Sequence, residues 1–118
     1  MGIEMRGLHL ILDMYKCSEK NLGDKTLIAK ILDELPDLLK LTKLSKPFIE
    51  EYSNPTPGIS GFVIIGESHI SIHTFIEERL ATVDIYACKE FDVELAVNYL
   101  TSKFNPEKIE KHVLYRML

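Results

Sequence analysis

Apolar runs and apolar–polar alternation mark six stretches of this chain, and a period of two predicts six β-strands. The stretches lie at 7–15, 46–52, 59–65, 69–75, 81–87 and 108–115. The second stretch is weakly patterned and contains Pro47. Because proline lacks an amide donor, that strand is expected at a sheet edge.

Two other stretches carry apolar residues at helical spacing. The first follows Asp24, whose side chain suits a helix cap, and contains Pro36. Since proline removes an amide donor, the helix is expected to kink or to start again there. The second helix opens after Asp92 and ends at 105–106, where the pair Asn-Pro stops it. The polar stretch 16–25 is predicted to be a loop.

The order of these elements predicts an α+β protein. Connections of hairpin length in the middle of the chain favour a mostly antiparallel sheet. Two amphipathic helices can cover only one face of such a sheet, which gives a two-layer sandwich. Because the strands carry apolar residues towards the other face as well, that face is expected to meet a partner. The sequence therefore predicts a dimer.

Length and composition restrict the classes of function. A chain of 118 residues is expected to form one domain. Its net charge of −4 predicts neither a nucleic-acid partner nor an anionic membrane partner. No apolar run approaches the roughly 20 residues of a membrane span. The N-terminus lacks the basic-then-apolar order of a signal peptide, so a cytoplasmic protein with reduced cysteines is predicted.

Ser68 is a candidate nucleophile, because it stands at a corner between two predicted strands, directly after Gly66 and Glu67. A serine needs a base or strain to activate it. His73 lies five residues on, and in an unbroken strand this odd offset places the two side chains on opposite faces. A corner before His69 would break that parity. The alternative is that Ser68 only bonds its own backbone in a turn.

The histidines and cysteines allow further interpretations. His69 and His73 are four residues apart, a spacing that suits one zinc ion on a helix. In a strand the same spacing spans roughly 13 Å, so no metal site is predicted. Cys88 ends the fifth predicted strand and is either a reactive thiol or a small buried residue. Cys17 is either a buried residue or a loop thiol.

Three motifs taken together resemble one family, the prokaryotic S-adenosylmethionine decarboxylases, which are self-cleaving pyruvoyl enzymes. The motifs are Gly-Ile-Ser-Gly at 58–61, Glu-Ser-His-Ile-Ser-Ile-His-Thr-Phe at 67–75, and Ala-Thr-Val-Asp-Ile-Tyr-Ala-Cys at 81–88. The resemblance implies a single proenzyme domain, 1–118, which cuts itself between Glu67 and Ser68. The products would be a β chain, 1–67, and an α chain, 68–118.

The resemblance also implies a role for each catalytic residue. Ser68 would attack the carbonyl of Glu67 and end as a covalent pyruvoyl group, which forms a Schiff base with the substrate amine. That group withdraws electrons as CO2 leaves, as pyridoxal phosphate does in other enzymes. His73 would assist as the acid and base in the breakdown of the intermediate that the attack by Ser68 forms, and Ser60 would help to hold the oxyanion of that intermediate. Cys88 would return a proton to the substrate.

Substrate binding and assembly follow from the same resemblance. Glu77 would hold the ribose hydroxyls of S-adenosylmethionine, and Phe75 would lie against its adenine. The product would supply polyamine (spermidine) biosynthesis. Cleaved protomers of this family form homodimers whose sites draw on both chains. No partner beyond the small-molecule substrate and the second copy is predicted.

The chain departs from the family at the presumed adenosyl site. Asn54 stands where many relatives have an aromatic residue, Ile76 replaces a common proline, and Lys89 replaces a glycine. One alternative is therefore a decarboxylase of arginine or another basic amino acid on the same scaffold. Another is a paralogue that no longer cleaves and serves as a partner subunit.

Overall fold

Six strands form a single sheet in a computed structural model that describes residues 7–66 and 68–116. The strands are β1 (Gly7–Tyr15), β2 (Phe48–Tyr52), β3 (Gly58–Ile65), β4 (Ser68–Phe75), β5 (Leu80–Ala87) and β6 (Lys108–Arg116). Their order across the sheet is β2-β3-β4-β5-β1-β6, and every neighbouring pair is antiparallel. The predicted edge position of β2 is confirmed, and the strand begins directly after Pro47.

Helices cover one face of this sheet, which confirms the predicted α+β sandwich. They are α1 (Glu19–Leu22), α2 (Lys25–Leu38) and α3 (Val93–Phe104). The prediction of a plain loop at 16–25 is wrong, because α1 forms there. Ser18 caps this short helix by accepting a hydrogen bond from the Asn21 amide, and Leu22 is fully buried beneath it.

The two longer helices begin where their caps were predicted. Asp24 accepts a hydrogen bond from the Leu27 amide, and Asp92 caps α3 in the same way. Of the two outcomes predicted at Pro36, a kink or a restart, the restart does not occur, since α2 continues as one element to Leu38. Pro36 lacks the amide that would bond the Leu32 carbonyl, but it lies buried in the last turn, and the helix ends two residues later.

The core lies between the sheet and the helices. Alternate residues of β1, β3, β4 and β5 point into it, as the period of two predicts. Fully buried side chains on the strands include Leu10, Leu12, Met14, Ile59, Ile70, Ile72, Val83 and Ile85, and those on the helices include Ile28, Ile31, Leu32, Leu35, Leu100 and Phe104. No helix in residues 7–66 and 68–116 is long and apolar enough to cross a membrane.

No helix in the described part of the chain covers the second face of the sheet, which we call the open face. Phe48, Phe62 and Ile64 lie together on its β2–β3 side, Leu114 lies on the opposite edge strand β6, and each is between 40% and 49% exposed. A cluster of large apolar side chains on one face is typical of a surface that meets a partner. The apolar residues from which a dimer was predicted lie on this face.

The end of β4 is fixed by two features that bear on the site. The Thr74 hydroxyl accepts a hydrogen bond from the Ile59 amide and donates one to the Leu22 carbonyl, so it ties β3, β4 and α1 together. Gly58 lies opposite, and a Cβ there would come within 2.4 Å of the Thr74 carbonyl oxygen. Only glycine allows this close approach.

Candidate active site

Strand β4 carries the predicted nucleophile at its start and the predicted base near its end. Ser68 is the first residue of the strand, and its side chain is 8% exposed on the helix-covered side. His73 lies on the open face and is exposed. The strand between them is unbroken, so the parity argument holds and no corner brings the two residues together. Five residues of strand span roughly 17 Å.

Ser68 is paired with a thiol. Its hydroxyl donates a hydrogen bond to the Sγ of Cys88 at 3.4 Å. Cys88 follows directly after β5, the neighbour of β4, and is partly exposed. A cavity of about 270 Å³, lined in part by Gly66, Cys88 and Lys89, opens beside the thiol. Of the two interpretations of Cys88, the placement therefore favours a reactive thiol.

Glu67 lies outside the described residues. Its predicted role as the residue before the cut is therefore considered from the sequence alone.

His73 is paired with the other predicted serine. Ser60 on β3 is its direct cross-strand neighbour, and the Ser60 Oγ lies 2.8 Å from the Nδ1 of His73. A cavity of about 190 Å³ adjoins this pair on the open face, lined in part by Glu50, Phe62 and Ser71. The imidazole is thus held by a hydroxyl while one side remains open to a reacting group.

The predicted substrate-binding residues lie at the same end of the sheet as His73. Phe75 is the last residue of β4, half-buried and opposite Gly58. Glu77 is exposed in the turn that follows, before β5 begins at Leu80. Neither residue is near Ser68, because the two ends of β4 lie roughly 23 Å apart along the strand.

The six predicted residues within the described ranges therefore form two groups. We call Ser68 and Cys88 the serine–thiol half-site. The other group, the histidine half-site, contains Ser60, His73, Phe75 and Glu77. Each contains one hydrogen-bonded pair, Ser68 with Cys88 and Ser60 with His73, and the two groups lie at opposite ends of β4. The sequence predicted the members of both groups but not their separation.

Sequence reasoning missed Tyr86 as a member of the serine–thiol half-site. The Cys88 thiol donates to the Tyr86 Oη at 3.9 Å, and the Tyr86 ring lies 5.9 Å from that of His69. Burial and the hydrogen bond with Cys88 raise the pKa of Tyr86, while Arg116 opposes this shift. The available signal was the period of two, which places residues 86 and 88 on the same side of a strand.

Cys17 was predicted to be either a buried residue or a loop thiol, and the structure supports the buried residue. Its side chain is 0% exposed, and its Sγ donates to the Met14 carbonyl oxygen at 3.4 Å. Burial raises the pKa of this thiol to about 11, so it stays protonated and unreactive at neutral pH.

Within residues 7–66 and 68–116, no three histidine, cysteine or acidic side chains gather as metal ligands would. His69 and His73 share the open face at the strand spacing expected from the sequence.

Comparison with known proteins assigns this arrangement to a family. The family model for S-adenosylmethionine decarboxylase matches residues 8–117. A protein of Pyrobaculum neutrophilum named S-adenosylmethionine decarboxylase proenzyme is 35% identical over 112 residues, covering 93% of this chain and 88% of that protein. One of the same name from Archaeoglobus fulgidus is 35% identical over 111 residues, covering 93% of this chain and 96% of that protein.

A solved structure agrees with these matches. The crystal structure of the adenosylmethionine decarboxylase from Aquifex aeolicus superposes with a TM-score of 0.83 at 32% sequence identity, covering 98% of this chain and 93% of that one. The fold and the paired groups define a small α+β enzyme. The chain belongs to the S-adenosylmethionine decarboxylase family.

Proposed function

We propose that this chain is the proenzyme of a self-processing, pyruvoyl-dependent decarboxylase that acts on S-adenosylmethionine. Residues 1–118 would form one domain that cuts itself between Glu67 and Ser68. The observation that carries the proposal is the pairing of Ser68 with Cys88, whose Sγ lies 3.4 Å from the serine hydroxyl. Relatives named as proenzymes support the self-cleavage, because that name implies processing.

Self-cleavage is assigned to Ser68 as the nucleophile. Its Oγ forms a bond to the carbonyl carbon of Glu67, and the peptide C–N bond breaks, which leaves an ester. A base then removes the α-proton of residue 68, and elimination releases Glu67 as a carboxylate. The unsaturated residue that remains takes up water and loses ammonia, which leaves a pyruvoyl group at the start of the second chain.

His73 and Ser60 supply the acid–base and oxyanion functions of that sequence. Serine is a poor nucleophile at neutral pH, so the reaction needs a positioned proton carrier and a donor aimed at the developing negative charge. The 2.8 Å contact between the Ser60 hydroxyl and the Nδ1 of His73 supports this assignment, because the contact orients the imidazole. The other ring nitrogen then remains available to carry a proton.

The residues around Ser68 fit a pyruvoyl group formed from it. When present, such a carbonyl binds the substrate amine and withdraws the electrons released as CO2 leaves. Cys88, already in contact with the Ser68 side chain, is assigned the return of a proton to the substrate carbon. The cavity of about 270 Å³ beside Cys88 gives the substrate room at this point.

A homodimer is proposed because the serine–thiol half-site contains the nucleophile without a base, and the histidine half-site contains the base without a nucleophile. Ser68 needs a base, and His73 lies roughly 17 Å away along the strand. A two-fold axis makes each copy contact the other with the same surface, so it can bring the start of β4 in one copy to the end of β4 in the other. The apolar side chains of the open face support such an interface.

Phe75 and Glu77 are proposed to bind the adenosyl part of the substrate. A carboxylate can accept two hydrogen bonds from the ribose hydroxyls, and an aromatic ring packs well against a flat base. Asn54 stands where the family resemblance predicts an aromatic residue. Because a smaller basic amino acid has no adenine to pack against such a ring, it stays the second candidate substrate.

Two measurements on the purified protein test the proposed function. Intact-mass spectrometry is expected to give two fragments divided at Glu67/Ser68, and CO2 release is expected from S-adenosylmethionine but not from arginine. CO2 release from arginine alone would replace the substrate and keep the mechanism. A single uncut chain without CO2 release would contradict the proposal and favour the alternative of a non-cleaving paralogue that serves as a partner subunit.

Changing Cys88 to alanine is expected to separate processing from turnover. The variant should still be cut at Glu67/Ser68, because the thiol is not assigned to cleavage, while kcat for CO2 release should fall by about 100-fold or more for loss of an acid catalyst. Cys17→Ala at the buried cysteine is the matched control for CO2 release. An unchanged kcat in Cys88→Ala would move the proton donor to another residue.

The proposed setting is a cytoplasmic step of polyamine (spermidine) synthesis. A catalytic Cys88 must stay reduced, and reducing compartments keep thiols in that state. Within the described residues, neither Cys17 nor Cys88 forms a disulfide.

A further inference from the structure

We propose that Tyr86 is a positioning residue for the proton that Cys88 returns: its hydroxyl orients the thiol and then donates a hydrogen bond to the thiolate left behind. This rests on the proposed function, because that function assigns the proton transfer to Cys88. Tyr86 itself is placed by the fold, two residues before Cys88 and on the same side of β5.

A chain of hydrogen bonds connects Tyr86 to the reacting end of β4. The Ser68 hydroxyl donates to the Cys88 Sγ at 3.4 Å, and the thiol donates onward to the Tyr86 Oη at 3.9 Å. The second distance is long for a hydrogen bond. Catalytic hydrogen bonds are often long in ligand-free structures and tighten when substrate binds.

The Tyr86 ring is held by contacts that do not involve its hydroxyl. His9 on β1 and His69 on β4 are its cross-strand neighbours, and each ring centre lies 5.9 Å from that of Tyr86. The Arg116 guanidinium of β6 lies over the ring face, 4.6 Å from its centre. Removing the hydroxyl alone therefore leaves these packing contacts in place.

The charges around Tyr86 keep its hydroxyl protonated. Burial and the contact with Cys88 raise its pKa, and Arg116 on the far side of the ring lowers it only in part. Asp84, two residues before Tyr86 on β5, is engaged by the Nε2 of His9 at 2.9 Å. The hydroxyl is thus a hydrogen-bond donor at neutral pH.

The proton step assigns one task to each group. The S–H bond of Cys88 breaks as its proton moves to the substrate carbon, and the sulfur keeps the electron pair as a thiolate. A thiolate cannot donate, so the Tyr86 hydroxyl turns and donates to it. Solvent returns a proton to the sulfur before the next turnover. Tyr86 loses no proton in this sequence and touches no substrate.

Tyr86→Phe tests this assignment, first in the uncleaved Ser68→Ala background, where the result does not depend on turnover. Iodoacetamide alkylates thiolates, and tryptic mass spectrometry separates the Cys88 peptide from that of buried Cys17. Cys88 alkylation at neutral pH is expected to be about tenfold slower in Ser68→Ala/Tyr86→Phe than in Ser68→Ala, the scale of one hydrogen bond to a charged group. Ser68→Ala/Tyr115→Phe, changed at an exposed tyrosine of β6, should match Ser68→Ala.

The single variant Tyr86→Phe adds a second measurement. It is expected to cleave at Glu67/Ser68 like the wild type, and to show kcat lowered by about tenfold with KM unchanged. Alkylation and kcat both within about twofold of their controls would overturn the role of Tyr86. Failure of the proposed function would be distinguishable, since wild-type protein would then remain uncut while the alkylation comparison could still be made.

Discussion

Ser68→Ala is expected to leave a folded chain of full length that releases no CO2. Alanine has no hydroxyl to attack the carbonyl of Glu67, and without that attack no carbonyl group forms at residue 68. The side chain is small and lies at the start of β4 with 8% exposure, so the sheet should tolerate its loss. Intact-mass spectrometry checks the chain length, and circular dichroism checks the fold.

Ser102→Ala provides the matched serine control. Ser102 is exposed on α3, and its hydroxyl only bonds the Tyr99 carbonyl of the same helix. This variant should be cut and active like the wild type. Cleavage of Ser68→Ala at the same position would mean that a different group attacks, and the proposed mechanism would have to be abandoned.

Two inactive variants are expected to restore cleavage when they are produced together. His73→Ala alone should stay uncut because it lacks the base, and Ser68→Ala alone because it lacks the nucleophile. In the proposed dimer, Ser68 of the His73→Ala chain would meet His73 of the Ser68→Ala chain. With equal amounts and random pairing, about half of the His73→Ala chains should be cut, and none of the Ser68→Ala chains.

Cleavage is expected only in mixed dimers because the two half-sites are far apart within one chain. Because roughly 17 Å of strand lies between Ser68 and His73, neither residue can serve the other within one copy. Different affinity tags allow mixed dimers to be isolated, and mass spectrometry then shows which chain was cut. The control pairs His73→Ala with the double variant Ser68→Ala/His73→Ala, which offers no imidazole to any site. Isolated mixed dimers without cleavage would place the whole site within one chain.

Much of the fold could be predicted from local patterns. Strand β1 and helix α3 were predicted within a residue of their ends, because alternation and capping are properties of neighbouring residues. The prediction missed α1, and of the two outcomes expected at Pro36 the restart did not occur. The helical turn of α1 is stabilised by the burial of Leu22 in the tertiary core, and Pro36 is itself buried in the last turn of α2. Neither condition is visible in a local window.

The candidate residues were found by motif, and each was placed by tertiary structure. Ser60 and His73 are 13 residues apart in the sequence, yet the register of β3 against β4 brings their side chains within 2.8 Å. Ser68 and Cys88 meet through the pairing of β4 with β5. Tyr86 was missed because a tyrosine in an alternating strand is ordinarily read as packing.

The sequence by itself determined the family, the sheet with its two main helices, and the candidate residues for the proposed chemistry. These depend on residue type and on short-range spacing, both of which are present in the linear chain. Only the tertiary structure decided how those residues are grouped. Strand register is set by pairing between strands, and an unbroken β4 separates Ser68 from His73, the proposed nucleophile and base, by a distance that the motif alone does not give.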